Sequence, residues 1–307
     1  MRLYTIEHEG RELVAIEGKN GALYTLESLG INVKDMNELI VRFDSLKDEI
    51  ASKIASKIAA KIASQVASQN ETPQDAQIAA CAPGTYRILA PVPVPMQDLV
   101  CLGVNYSSHM SDMAQGLSFT KKQDTIYFSK RVNRSNDPGG KIPQYSFVDS
   151  LDYEVELGVV IGKDAFGVSR EEALSYVLGY TIVNDVSARN VQRKHSQWFL
   201  GKSLDGYTPM GPCIVTSDEI GDIHNLDISC YVNDEKRQGS NTSFMITTVE
   251  EAIAELSQGM TLKAGTIIAT GTPGGVAMGM NPPKFLNKGD IVRCEISGIG
   301  QLVNIVG

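Results

Sequence analysis

The run Leu151-Asp-Tyr-Glu-Val-Glu-Leu-Gly-Val-Val-Ile-Gly162 constrains the fold of this chain more than any other stretch. It reads as a strand flanked by apolar residues, and a strand sends alternate side chains to one face. Glu154 and Glu156 therefore point the same way, about 7 Å apart along the strand. Two like charges on a mostly buried strand need compensation. A divalent cation is the least costly form of it, since it neutralises both carboxylates and accepts hard oxygen ligands. The alternative is an exposed face with two solvated glutamates. Leu151, Val155, Leu157, Val159, Val160 and Ile161 weigh against that reading.

The chain has 307 residues, enough for a large core and for two domains. With 42% hydrophobic and 21% charged residues, it has the composition of a soluble globular protein. No apolar run reaches the length of a membrane span, and the opening Met1-Arg-Leu-Tyr lacks an apolar signal core. A cytoplasmic location without a membrane partner is expected. The net charge of −8 argues against nucleic acid as a partner. The five cysteines are scattered and form no Cys-x-x-Cys pair, which argues for reduced thiols and against a zinc site or a disulfide framework.

Residues 1–45 alternate short strand-like runs with turns, and Asn20-Gly21 marks a hairpin. From 46 to 69, Ile50, Ile54, Ile58, Ile62 and Val66 recur every four residues among Ala, Lys and Ser, without Gly or Pro, which predicts a helix. A four-residue period drifts about 40° per step, so the apolar stripe winds around the axis and packs on its own domain or on a neighbouring subunit. Asn70-Glu-Thr-Pro and Ala90-Pro-Val-Pro-Val-Pro95 force extended backbone. The expected organisation is an N-terminal α+β domain over 1–80, a Pro-rich linker over 81–97 and a strand-rich domain over 98–307. Helices are expected at 170–178, opened by Ser169, and at 248–258. The absence of sustained βαβ alternation predicts an α+β fold, mainly β: a mixed β-roll or barrel.

Four further elements carry polar chemistry. Tyr180-Thr-Ile-Val-Asn-Asp185 reads as an apolar strand ending in an acid that either caps the next turn or serves as a third oxygen ligand. Three carboxylates with waters suit Mg²⁺ or Mn²⁺. In Gly103-Val-Asn-Tyr-Ser-Ser-His109-Met-Ser-Asp112, a helical turn would bring Asp112 beside His109 and make a general base, the alternative being a surface pair. The polar stretch 116–141 reads as a mobile lid. Lys202, in Gln197-Trp-Phe-Leu-Gly-Lys202, is either a carboxylate anchor or a solvated lysine. Thr266-Ile-Ile-Ala-Thr-Gly-Thr-Pro-Gly-Gly275 is a strand running into a Gly-rich turn without the spacing of a nucleotide-binding P-loop. Its amides and the hydroxyl of Thr270 or Thr272 suit a small anion.

As a set and in this order, Gly103–His109, Asp152–Gly162, Asn184–Arg189, Gln197–Ser203 and Gly271–Val276 resemble the fumarylacetoacetate hydrolase family over about 98–307. The resemblance implies a mixed β-roll, a homodimer and a Mg²⁺ or Mn²⁺ site with Glu154, Glu156 and Asp185 as ligands. It makes His109 the lid histidine and Lys202 the active-site lysine. It sets Arg189, Gln192 and Thr272 near the substrate. Three positions depart from the family pattern: Asp112 replaces Glu, Asn190 replaces the Asp after Ser-Ala-Arg, and Lys130-Arg131 replaces Lys-Pro.

The expected activity is metal-dependent hydrolysis of a C–C bond in an acylpyruvate-like β-diketo acid through a stabilised enolate. In it His109 and Asp112 activate water while Lys202 and Thr272 bind carboxylate or oxyanion. The alternatives are decarboxylation of a 2-oxo diacid of the oxaloacetate type or enol–keto isomerisation like that of 2-hydroxyhepta-2,4-diene-1,7-dioate and, in another class, a metal-binding scaffold without catalysis.

Overall fold

A computed structural model of the chain describes residues 1–67, 84–107 and 124–307. Strands β1 (Arg2–His8) and β2 (Arg11–Glu17) form an antiparallel hairpin. β3 (Leu23–Thr25) pairs with β2 across the expected Asn20-Gly21 turn, where Gly21 takes φ +73°. Helix α1 (Met36–Ala67) begins well before residue 46, because Leu39, Ile40 and Phe43 continue its buried face. Along the four-residue stripe, Ile50 and Ile54 are buried and Ile58 is only partly so, as a winding stripe requires.

The Pro-rich segment is tied down over residues 87–92. β4 (Arg87–Ile88) pairs with β1, the Thr5 hydroxyl donates to the Pro91 carbonyl at 2.7 Å, and the Ser135 hydroxyl donates to that of Val92 at 2.8 Å. There follow β5 (Leu99–Gly103), β6 (Ile126–Lys130), β7 (Lys141–Ile142), β8 (Leu151–Asp152), β9 (Val155–Ile161), β10 (Val177–Asn184) and β11 (Ser187–Ala188). Two short helices, α2 (Arg189–Lys194) and α3 (Phe199–Lys202), lead to β12 (Met210–Thr216), β13 (Asp227–Val232) and β14 (Glu235–Asn241). Helix α4 (Val249–Ser257), β15 (Ile267–Ala269), β16 (Ile291–Ile296) and β17 (Gly300–Val306) complete the order.

The main sheet runs β3-β2-β1-β12-β10-β9-β15-β5-β6 and is open, ending at β3 and β6. A second sheet runs β14-β13-β16-β17-β7, and β8 and β11 form a small ribbon. Among the described strands, only the β15–β5 and β17–β7 pairs are parallel. Because β1 pairs with β12, the N-terminal hairpin is continuous with the strand-rich part.

All seven residues of β9 are buried, because the sheet is covered on both faces. Leu157, Val159 and Ile161 pack with Ile228, Cys230 and Val292 of the second sheet. Val160, with Val183 and Ile214, packs with Leu39, Ile40 and Ile50 of α1. Each such side chain contributes about 1.5–3 kcal/mol by leaving water. The ends of β9 and β10 are thus anchored from two directions, which fixes whatever side chains they carry.

Two expected elements differ. The stretch 170–178 is not an α-helix: Ala173–Tyr176 makes one 3₁₀ turn and β10 begins at Val177. Pairing with β9 captures the β-prone Tyr-Val-Leu and overrides the local helix signal. Of the stretch read as a lid, residues 126–130 form β6, paired with β5 at the sheet edge, and residues 141–142 form β7. The expected helix at 248–258 is present with a full capping box: the Thr248 hydroxyl accepts from the Glu251 amide and the Glu251 carboxylate from the Thr248 amide.

Candidate active site

Glu154 occupies the break between β8 and β9, and Glu156 is the second residue of β9. The last residue of β10, Asn184, lies opposite Val155. Its side-chain carbonyl accepts the Glu154 amide at 3.0 Å, and the Asp185 amide donates to the Glu154 carbonyl at 2.8 Å. These bonds bring Asp185 beside the two glutamates. One oxygen from each carboxylate lies within 4.8 Å of the others, and all three residues are buried.

Glu156 receives the Gly271 amide at 2.9 Å. Gly271 has φ +91°, and a Cβ there would fall 2.7 Å from the Cβ of Asn105, so no other residue fits this turn. The Gly-rich turn after β15 thus serves the site through a backbone donor.

Three buried cations face the carboxylates. The Lys202 ammonium bonds to Glu154 and to Asp185 Oδ2, the latter at 2.5 Å. Arg189 bonds through Nη2 to Glu154, through Nε to Asp152 Oδ2 at 2.8 Å and through Nη1 to Gln192 Oε1 at 3.0 Å. Lys130 Nζ lies 2.5 Å from Asp185 Oδ1 and 3.2 Å from the Val186 carbonyl. The convergence of α2 and α3 depends on Gly201, where a Cβ would lie 2.7 Å from the Gln192 amide nitrogen.

Burial, then the charges of Asp185 and Glu154, push the Glu156 carboxyl well above the usual range. For Lys202 burial opposes the charge, but Asp185 and Glu154 outweigh it and the pKa rises. In the metal-free fold those carboxylates thus favour the ammonium form of Lys202, which acts as a hydrogen-bond donor.

The sequence reading and the geometry coincide at several positions. Glu154, Glu156 and Asp185 converge as expected, and Lys202, Arg189, Gln192 and Thr272 line the cleft above them with the two glutamates. Arg189 spends three of its five N–H donors on protein groups, so it positions Glu154. The Thr272 hydroxyl donates to the Val155 carbonyl at 2.9 Å and accepts from Gln238 Nε2 at 2.8 Å, which commits its proton to the fold. His109 and Asp112 lie outside the described residues.

Three contributors escaped the sequence reading. Lys130 was seen only as a departure from the family pattern, although a lysine on an otherwise apolar edge strand was a usable signal. Asp152 was quoted in the motif without a role. Its carboxylate accepts the amides of Tyr153 at 2.9 Å and Ala277 at 2.8 Å as well as Arg189. Gln238, on the largely solvent-facing β14, accepts the Val155 amide at 3.1 Å and donates to the Pro273 carbonyl at 2.8 Å. Nothing local in its sequence marks that role.

The donor set suits a hard divalent cation: three carboxylates, no sulfur and no imidazole among the described groups. Glu154, Glu156 and Asp185 would hold such an ion, each offering one carboxylate oxygen. The Lys202 ammonium already bridges Glu154 and Asp185, which shows that this position favours positive charge.

Comparison with known proteins agrees with this geometry. Residues 98–307 match the family described as fumarylacetoacetate (FAA) hydrolase C-terminal. The oxaloacetate tautomerase YisK of Bacillus subtilis (strain 168) is 44% identical over 222 residues, 72% of this chain and 73% of that protein. Among solved structures, the fumarylacetoacetate hydrolase EaFAH of Exiguobacterium antarcticum superposes with a TM-score of 0.79 at 33% identity, over 100% of this chain and 99% of that one. The 2-hydroxyhepta-2,4-diene-1,7-dioate isomerase of Mycobacterium marinum gives 0.69 at 28% identity, over 100% and 98%. The relatives named as tautomerase and isomerase favour the isomerase alternative over the expected C–C hydrolysis. With its motifs, its buried acidic triad and two thirds of its length in agreement, the chain belongs to the fumarylacetoacetate hydrolase family of enzymes.

Proposed function

We propose that this protein interconverts the enol and keto forms of a 2-oxo diacid of the oxaloacetate type, with Mg²⁺ or Mn²⁺ bound by Glu154, Glu156 and Asp185. The observation that carries the proposal is the buried triad faced by Lys130, Arg189 and Lys202. With Asp152, four buried carboxylates oppose three buried cations. A divalent cation turns that balance positive, and a dianionic substrate then restores it. The sequence similarity to an oxaloacetate tautomerase supports the same chemistry.

The cation's contribution when bound is to polarise the 2-oxo oxygen and its neighbouring carboxylate, which favours the enolate. The chain's own groups do the rest. Lys202, whose ammonium stands beside Glu154 and Asp185 in the cleft, donates a hydrogen bond to the oxygen on which charge develops. Arg189, braced by Asp152, keeps Glu154 in place and holds Gln192 at the cleft wall. His109 with Asp112 is the proposed pair that moves the proton between solvent and C3. Tautomerisation consumes no water and breaks no C–C bond: in the enol-to-keto direction the enol O–H gives up its proton to solvent and C3 takes one from the His109–Asp112 pair, and the reverse direction returns both.

The test follows loss of enol absorbance after enol-oxaloacetate is mixed with the purified protein and Mg²⁺ or Mn²⁺. Carbon dioxide release and acetate formation from acetylpyruvate are measured in parallel. The expected result is enol loss far above the uncatalysed rate. Enol loss at background, with carbon dioxide or acetate released instead, overturns the proposal in favour of decarboxylation or hydrolysis.

A further inference from the structure

The cleft above the triad has two unlike walls. One is the polar wall already described. The other consists of Leu102, Gly103, Val104, Phe128 and Trp198, the chain's one tryptophan. Gly103 ends β5, and a Cβ built on it would lie 2.5 Å from the Trp198 ring, so the indole presses on bare backbone. The same indole meets Phe128 edge-on, with ring centres 5.2 Å apart and planes at 76°.

The backbone beneath this wall is held in an uncommon shape. Val104 has φ +54°, a left-handed conformation that a β-branched residue rarely adopts. Such strain persists only where its surroundings over-determine it. The Asn105 side chain does so: its Nδ2 donates to the carbonyls of Thr247 at 2.9 Å and Thr270 at 2.8 Å, and its Oδ1 accepts the Thr247 amide at 2.7 Å. The wall is also locked to the site's cation. The Lys202 amide donates to the Trp198 carbonyl at 3.1 Å, and Lys202 Nζ lies 5.4 Å from the centre of the Phe128 ring. One helical turn therefore sets both the ammonium and the indole.

We infer that Trp198, backed by Gly103 and Phe128, determines substrate length: it closes the cleft beyond the 2-oxo acid head and holds the site to short, four-carbon 2-oxo diacids. This rests on the proposed 2-oxo diacid reading for its substrate class. Longer diacids meet the indole and bind poorly. An apolar wall discriminates by roughly tenfold or more for the extra chain it excludes.

The test uses the Mg²⁺-loaded protein and calorimetric binding of oxalate, which is the head alone, and of 2-oxoadipate, which adds a tail. Trp198→Ala strengthens 2-oxoadipate binding relative to oxalate by about tenfold, and Trp198→Phe shifts it the same way by less. A purely structural tryptophan would alter both ligands together. In the wild type, oxalate changes the emission of the one tryptophan. An unchanged affinity ratio in both variants, or emission indifferent to oxalate, overturns the inference. Failure of the tautomerase reading shows separately, as absence of enol turnover by a wild type whose affinity ratio still responds to Trp198.

Discussion

Lys130→Met puts the electrostatics of the site to a quantitative test. Lys130 and Asp185 are both fully buried, so solvent does not screen their ion pair. Methionine preserves the length and the apolar stem but removes the donor. Asp185 Oδ1 then loses a charge-assisted hydrogen bond of about 1.5–3 kcal/mol, and the buried Val186 carbonyl loses its lysine partner at about 1 kcal/mol. Asp185 keeps Lys202 on its other oxygen, which limits the damage. The expected loss is about 3 kcal/mol, at the lower end of what removing one partner of a buried pair costs. Urea unfolding in the presence of a chelator measures it. Saturating Mg²⁺ should narrow the gap, because an ion bound only by the folded chain adds stability, about 2.7 kcal/mol at a hundred times its Kd, and the variant's triad carries more uncompensated negative charge. A metal-free variant within about 0.5 kcal/mol of wild type, or a gap that Mg²⁺ leaves unchanged, refutes the view that Lys130 is an obligatory counter-ion.

Two further outcomes follow from the same site. The Glu156 carboxyl is raised above its ordinary value of 4.5 in the metal-free fold, so the folded chain keeps a proton that the unfolded chain releases. Metal-free stability therefore falls as pH climbs from that value through the raised one, and metal affinity increases over the same window as the ion displaces the proton. Calorimetry in buffers of different ionisation enthalpy reports that proton, and a metal affinity independent of pH contradicts the assignment. Arg189→Lys keeps the charge but not the fork that joins Asp152, Glu154 and Gln192. Metal affinity should drop about 10–100-fold, as for other residues that orient a ligand, whereas a purely electrostatic role predicts no change.

The buried acidic triad was legible in the sequence because each of its parts is local. Glu154 and Glu156 are two residues apart around the start of one strand, and Asp185 directly follows another. Periodicity and apolar flanks suffice to find such residues. The capped helix at Thr248 was legible for the same reason, since its capping box spans three residues. The segment 170–178 was misread because its helix signal is equally local, while its fate is set by pairing with β9.

The family, the mainly β fold class and a triad of carboxylates able to hold a hard cation can all be read from the order of residues along the chain. What surrounds that triad depends on contacts between distant segments. Lys130 reaches Asp185 across 55 residues and Gln238 reaches Val155 across 83, while β5 and the approach to α3 press Gly103 against Trp198. A buried charge must find its partner wherever the fold supplies one, and chain separation places no limit on that distance. Which cations neutralise the carboxylates and which side chains wall the cleft are therefore set by strand order and by packing on both faces of one sheet.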